Sequence, residues 1–431
     1  MPGAAEPPDS RPGRLLANRD FARLFAAQAT SLVGSGVTSV ALAAFAYRLT
    51  GSDATVVVGT ALTLRILAYV VLSPVAGVLA DRVDRKTMLV VADVLRVLLL
   101  GVFPFVTTVG QVYALIFAIN AVTAFFTPTF EAALPELVGA RLYTRAIALS
   151  RITLALEAAV GPMLAGVVIA LVGLRWTFWI DAGTYAVSAA LVLASRVPRA
   201  PRPEGPFPWR DLGPQVTHGT RVLLREPALR KALLLHFAEA AAGAVAIVTT
   251  VAYVHVVLRR GDVAFALAMA AVGVGSSMVA LLLPRREERA REGGGGARDE
   301  HLRFHRWAER SLILGGAVLA ASLLPGVLAP GIVVLGALWA LNGAGQSLVA
   351  IPSVGLLAEH TAPEERGRAH AAHFALTHVF WLITYPASGY LARAVGTPWT
   401  FTLAGIFCAV LTLLAIAAGR GRHREHPVHA A

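Results

Sequence analysis

Apolar residues in this chain form long unbroken runs, and polar residues gather in short clusters between them. A helix rises about 1.5 Å per residue, so roughly 20 apolar residues cross a hydrocarbon layer of about 30 Å. Runs of that length in the first half are Leu24 to Tyr47, Thr55 to Ala80, Thr87 to Val106, Val112 to Phe130, Ile147 to Val172 and Trp176 to Ala194. In the second half they are Ala232 to Leu258, Val263 to Leu283, two runs within Ser311 to Ala358, Ala369 to Val395, and Pro398 to Ala418. The stretch Ser311 to Ala358 carries no charge at all, and Pro325, Gly326, Pro330 and Gly331 supply a turn that divides it. The pattern predicts an all-α integral membrane protein of twelve transmembrane helices.

The charges give the topology. Arg11, Arg14, Arg19 and Arg23 precede the first run, Arg82, Arg85 and Lys86 follow the second, and Arg141 and Arg145 follow the fourth. The segment Arg196 to Lys231, the loop Arg285 to Arg310, and Arg420, Arg422 and Arg424 continue the series. Positive loops stay on the cytoplasmic side, so both termini are expected inside. Arg259 and Arg260 run against the rule, with Asp262 beside them. The formal charge of +12 therefore belongs to membrane-surface loops and not to a nucleic-acid face. Hydrophobic residues make up 56% of the chain and charged ones 15%, which excludes a soluble domain. Cys408 is the one cysteine, so neither a disulfide framework nor a cysteine metal site is available. The preference for arginine over lysine reads as a GC-rich bacterial genome, and residues 1–20 hold no apolar core of a cleavable signal.

The two halves echo one another. Arg145-Ala146 matches Arg368-Ala369, Gly166 matches Gly389, and Trp176-Thr177-Phe178 matches Trp399-Thr400-Phe401, all at an offset of 223 residues. Such a repeat implies two pseudo-symmetric six-helix bundles with a site near the midplane. The expected organisation is a disordered cytoplasmic tail at 1–18, a first bundle at 19–197, a cytoplasmic linker at 198–228 with an amphipathic helix, a second bundle at 229–419, and a His/Arg tail at 420–431.

Between the second and third runs stands Gly77-Val-Leu-Ala-Asp81-Arg82-Val-Asp84-Arg85-Lys86. It resembles the cytoplasmic signature of the major facilitator superfamily, with Asp84 where that family usually has glycine. The resemblance implies that Gly77, Asp81, Arg82, Arg85 and Lys86 act as a gating latch, Asp81 meeting the positive end of a helix and the cations holding carboxylates. Gly161-Pro162-Met-Leu-Ala-Gly166 is similar to the family's antiporter pattern, in which small residues allow close helix approach and proline bends the helix. Asn18-Arg19-Asp20-Phe21 and the stretch around Asp181 also resemble the enterobactin-exporter-like and drug–proton antiporter subfamily.

An ionisable group at the bilayer centre costs at least about 2.5 to 3.5 kcal/mol, so it needs a partner or a task. Arg65 and Glu157 fall near the middles of their runs and are the first candidates for substrate contact and proton coupling, with Arg151 and Glu239 beside them. Asp93, Arg96 and Asp181 are expected to form structural pairs. His236 and Glu239 are three apart, as are His370 and His373, with His378 further in; that spacing puts ligands on one helical face and makes a transition-metal site the alternative. The same imidazoles offer a route for protons. Gln28, Asn120, Asn342, Gln346, Trp381, Tyr385 and Pro386 would line a central cavity.

The expected function is secondary active efflux of a small molecule, drug-like or a siderophore, in exchange for protons, by a monomer in the bacterial inner membrane. Efflux of nickel or cobalt is the alternative within the class, and a non-transporting sensor or assembly partner the alternative outside it. No Walker lysine motif, nucleophile elbow or zinc-protease pair stands out, so neither an enzyme nor a cofactor is expected.

Overall fold

The computed structural model describes residues 13–139, 142, 146, 149–150, 153, 161, 164–165, 167–197, 209–292, 297–361 and 365–419. Among the described residues every regular element is a helix. After a helical turn at Gly13–Ala17 come α1 (Arg19–Thr50), α2 (Ala54–Arg82), α3 (Arg85–Val102), α4 (Val109–Val138) and α5 (Leu174–Ala194). Next are α6 (Trp209–Arg225), α7 (Pro227–Ala252), α8 (Asp262–Glu292), α9 (Ala297–Leu323), α10 (Ile332–Glu359), α11 (Arg366–Val395) and α12 (Thr397–Gly419). The fifth predicted run falls in a stretch described only in part, helical at residues 167–172.

Among the described residues, nine stretches are long and apolar enough to cross a membrane, and one of them, Arg19–Leu72, holds α1 and the first part of α2. The helix α11 is absent from that set because three histidines, a tryptophan, two tyrosines and a proline dilute its apolar character. A polar helix among apolar ones is where function is expected in a membrane protein. Outer faces carry exposed apolar side chains such as Val333 (83%) and Leu171 (78%), which only lipid would cover favourably.

The helices fall into two compact units, residues 1–207 with 260–270, and residues 208–259 with 271–431. In the first, Phe21, Leu24, Leu89, Phe126, Phe130 and Leu134 build a core at one end, and Leu15 packs into it. The tail expected at 1–18 thus includes an ordered turn. Asn18 starts α1 as its cap, its Oδ1 accepting from the Asp20 and Phe21 amides at 3.1 and 3.2 Å while its Nδ2 donates to the Leu137 carbonyl at 2.9 Å. The Asp262 carboxylate beside Arg259 and Arg260 instead takes a 2.6 Å bond from Arg48 at the end of α1.

The repeat read from sequence has a structural counterpart. Gly173 and Gly396, again 223 apart, precede α5 and α12 with φ of +81° and +84°, a conformation that favours glycine. Four residues on, Thr177 and Thr400 return their hydroxyls to those glycine carbonyls at 3.1 and 2.9 Å. Phe178 and Phe401 are buried behind them, and Trp176 and Trp399 face outward. One expectation is corrected: Arg285 to Arg310 is largely not a loop, since α8 continues to Glu292 and α9 begins at Ala297, with His305 and Glu309 one turn apart and in contact. The turn at Pro325 to Gly331 divides α9 from α10 as expected.

Candidate functional site

In the first unit a cavity of about 160 Å³ opens among five helices, α3 adding only Leu100. The helix α1 contributes Ser35, Thr38 and Ser39, α2 contributes Arg65 and Tyr69, α4 contributes Asn120, Thr123 and Thr127, and α5 contributes Asp181 and Tyr185. Leucines and isoleucines fill the remaining wall. Ligand pockets commonly enclose about 300–1,000 Å³, so this space suits one end of a larger molecule. Asp181 is 2% exposed and takes a 3.2 Å bond from the Thr184 hydroxyl. It fits against α1 because Gly34 has no side chain: a Cβ there would stand 2.1 Å from Asp181 Oδ1 and 2.3 Å from Thr184 Oγ1. Tyr185 shares a 2.6 Å bond with Ser35. A larger open depression of about 460 Å³ lies along α6 alone, beside Thr217, Arg221 and Arg225, and has no comparable enclosure.

Behind the cavity lies a buried ion pair. Arg96 donates to Asp93 at 2.7 Å, with side chains 2% and 0% exposed. Ser188 donates to the other Asp93 oxygen at 2.7 Å. The guanidinium is sandwiched by the Tyr185 and Phe126 rings at 4.3 and 4.5 Å. Asp93 and Arg96 are thus in contact as a buried pair, and Asp181, expected with them, also lines the cavity.

The signature between α2 and α3 is visible in its second half. Asp84 caps α3, its Oδ2 accepting from the Thr87 amide at 3.0 Å and hydroxyl at 2.7 Å. Replacing the usual glycine therefore gives the helix a side-chain cap. Arg85, buried, pairs with Glu136 on α4 at 2.8 Å, and Lys86 donates to the Leu193 carbonyl on α5 at 2.6 Å. The side chains of Gly77, Asp81 and Arg82 lie outside the described residues, as do Arg151, Glu157, Pro162 and Gly166. Gly161 is described: a Cβ on it would meet the Cα of Gly36 at 2.7 Å, so two glycines bring α1 and the fifth run backbone to backbone.

In the second unit α7 and α11 pack together and bring the predicted histidines into contact. His236 Nδ1 lies 2.8 Å from Glu239 Oε2, and its ring meets that of His373 edge to face at 4.8 Å. His370 is exposed, and His378 directs Nδ1 to the Phe374 carbonyl at 2.8 Å. Among the described residues no group of three or more His, Cys, Asp or Glu side chains is arranged to hold a metal ion. Asn342 and Gln346 form a bonded chain with Ser322, Gln28 is held by Ser150, and Trp381 packs on Gly243.

A further cluster was missed in sequence because its members stand far apart in the chain. At one end of the second unit, rings of His301, His305 and His360 lie 5.3–6.4 Å apart. His301 Nδ1 is 3.3 Å from Glu359, His305 Nε2 is 3.5 Å from Glu309, and Lys231 of α7 also bonds Glu309. His218 pairs with Glu365 at 2.7 Å nearby in the same unit. Burial lowers the pKa of His360 from its ordinary 6.5, against the opposing bond to the Leu356 carbonyl. The four-residue step from His301 to His305 was the available signal.

The family model for the Major Facilitator Superfamily matches residues 24–292 and 304–431. An uncharacterised MFS-type transporter of Bacillus subtilis, YfiS, is 25% identical over 374 residues, 81% of each chain. Macrolide efflux protein A of Streptococcus pyogenes is 29% identical, and enterobactin exporter EntS of Salmonella typhimurium 30% identical, each over less than half of either chain. Among solved structures, the nucleoside transporter NupG aligns with a TM-score of 0.72 at 12% identity, covering 92% of this chain and 99% of that one. A bacterial homologue of the lysosomal transporter Spinster aligns at 0.65 and 13%, covering 95% and 98%. With helices of membrane-crossing length, a repeat of two six-helix units and a family match along nearly its whole length, the chain belongs to the Major Facilitator Superfamily and is a multi-pass membrane transporter.

Proposed function

We propose that this transporter exports a small organic molecule across the bacterial inner membrane in exchange for protons, with both termini cytoplasmic and the monomer as working unit. The observation that carries the reading is the enclosed cavity of the first unit, where Arg65 and Asp181 stand among hydroxyls, amides and aliphatic side chains. Opposite charges in an apolar wall suit an amphipathic compound, which binds by its apolar body and is oriented by a few polar groups. Efflux names among the relatives support the direction, and arginine-rich loops support the orientation. The bonds from Arg85 to Glu136 and from Lys86 to Leu193 support a latch role for the signature, tying the start of α3 to α4 and α5.

Production in a drug-sensitive, efflux-deficient host tests the reading against a panel of erythromycin, other lipophilic drugs, and nickel, cobalt and zinc salts. Raised tolerance to organic compounds, abolished by Arg65→Gln and by Glu157→Gln with the protein still in the membrane, is the expected result. Raised tolerance to the metals alone would replace the organic substrate with a divalent cation. Full efflux by Glu157→Gln would remove that residue from proton coupling.

A further inference from the structure

The polar wall of the first-unit cavity has a direction, because most of its hydroxyl protons already go to the helices that carry them. A hydroxyl has one proton and two lone pairs, so one that donates to its own helix can only accept from the cavity. On α1, Ser39 donates to the Ser35 carbonyl and Ser35 to the Ser31 carbonyl, each at 2.9 Å. Ser35 then has no proton left for Tyr185, so in their 2.6 Å bond Tyr185 donates and keeps its lone pairs. On α4, Thr123 donates to the Ile119 carbonyl at 2.8 Å, and Asn120 gives one N–H to the Ile116 carbonyl at 2.7 Å, keeping Oδ1 and its other N–H. The Thr38 and Thr127 hydroxyls have no bond to a described helix carbonyl and can turn either way.

Asp181 completes this wall. Thr184 donates to the Asp181 carbonyl at 2.8 Å and to the carboxylate only at 3.2 Å, so the carboxylate receives a shared bond, with the Thr38 hydroxyl beside it. A charged acceptor forms hydrogen bonds roughly twice as strong as a neutral one, which makes Asp181 the strongest acceptor in a row of them. Arg65, on α2, carries five N–H donors and no acceptor, and it balances Asp181 in formal charge. Among the described residues the cavity is therefore neutral overall, and hydrogen bonding decides what it selects.

We propose that the cavity takes the amine end of an organic substrate, a protonated ammonium with at least one N–H. That N–H donates to Asp181 and to the lone pairs offered by α1, α4 and α5, while Arg65 meets an acceptor farther along the molecule. A quaternary ammonium has the same charge but no N–H, so it leaves these acceptors unpaired and is rejected. A neutral hydroxyl donates one proton without the charge-assisted bond to Asp181. The inference rests on the export of a small organic molecule proposed above and names its chemical class.

The test binds radiolabelled 4-phenylbutylamine to the full chain in lipid nanodiscs near neutral pH, where alkyl amines are protonated. Unlabelled amine, its N,N-dimethyl and N,N,N-trimethyl forms and 4-phenylbutanol then compete for the site. The dimethyl and trimethyl forms differ by one methyl group and one N–H, so shape is nearly constant between them. The trimethyl form and the alcohol should each compete on the order of tenfold more weakly than the dimethyl form. Asp181→Asn should weaken both amines by about tenfold and close most of the gap between the dimethyl and trimethyl forms. Thr123→Val, which removes one acceptor and keeps the shape, should weaken the primary amine about threefold and leave the trimethyl form unchanged. The ranking on the wild-type chain decides the question even where gel filtration shows that a variant has not folded. Equal competition by the dimethyl and trimethyl forms overturns the inference, as does an alcohol that competes as well as the amines, or a primary amine with no saturable binding. Binding in the expected order without efflux of organic compounds in the sensitive host would remove the export reading and leave the amine site standing. Efflux of organic compounds with no preference for N–H would do the reverse.

Discussion

In the first unit, buried polarity is ionic and fixed: Asp93 and Arg96 are in contact, flanked by Ser188 and two aromatic rings, and Asp181 is pressed against the bare backbone at Gly34. In the second unit the corresponding investment is in imidazoles, His236 with His373 inside and His301, His305 and His360 at one end. An arginine–carboxylate pair keeps its charges across the physiological range, whereas histidine ordinarily changes charge near neutrality. The contrast teaches that the halves of a duplicated scaffold can diverge in side-chain chemistry: one buries an arginine–carboxylate pair, and the other packs imidazoles against one another. Glycines bring helices close in both units. Among the described glycines of the second unit, the closest approaches are to backbone: a Cβ on Gly275 would stand 1.8 Å from the Ala340 carbonyl oxygen and one on Gly343 1.9 Å from that of Val272.

The largest effect should come from that packing. Gly343→Val puts a branched side chain where a carbonyl already lies, and overpacking costs about 1–3 kcal/mol even where neighbours yield. Here the neighbour is backbone, so the expected outcome is loss of the folded protein in gel filtration; a monodisperse variant with wild-type melting would break the comparison. Next, Arg96→Met should lower stability by about 3–5 kcal/mol by leaving buried Asp93 without its counter-ion, and Asp93→Leu combined with it should recover much of the loss, read as thermal unfolding in detergent. Equal stability of all three proteins would show that the first unit is not held by its ion pair.

A smaller effect concerns pH. His360 has its pKa lowered by burial, so the folded chain holds it neutral below the pH at which the unfolded chain binds a proton. The unfolded state then carries more protons, and stability falls as pH drops below about 6.5 toward the folded value. His360→Asn should flatten that part of the melting-against-pH curve, and an unchanged slope would assign the acid sensitivity elsewhere. The smallest change is at Asp84. Asp84→Ala should cost about 1 kcal/mol by removing the cap of α3, and Asp84→Gly, which restores the common family residue, only a few tenths.

The membrane fold was legible because lipid forces it: every backbone group must be bonded within its helix, and only long apolar runs meet that demand. The division of Ser311 to Ala358 at its proline and glycine pairs follows from the same rule. Charged segments were harder to read. Arg285 to Arg310 has the composition of a loop, but pairs such as His305 with Glu309 and Lys231 support helix there. The candidate site was half legible. Arg65 stood out as a charge in an apolar run, and the three-residue steps of His236 to Glu239 and His370 to His373 announced shared faces. That Asp181 lines the cavity was not legible, because this depends on how α5 is rotated, which one turn of sequence does not specify, and because the space it occupies exists only through Gly34 on another helix. The contact of His236 with His373 joins positions 137 residues apart in the chain, beyond any local pattern.

The reciprocal fit at Gly275 and Gly343 has a consequence for movement. In lipid, where no aqueous squeeze drives helices together, such a joint is held by close contact alone, and it tolerates neither sliding nor separation without losing what holds it. These stretches of α8 and α10 must therefore travel as one rigid strut through any transport cycle, leaving bending to places such as the prolines within α10 and α11 and the wider π turn that ends α7 at Tyr253–Val257.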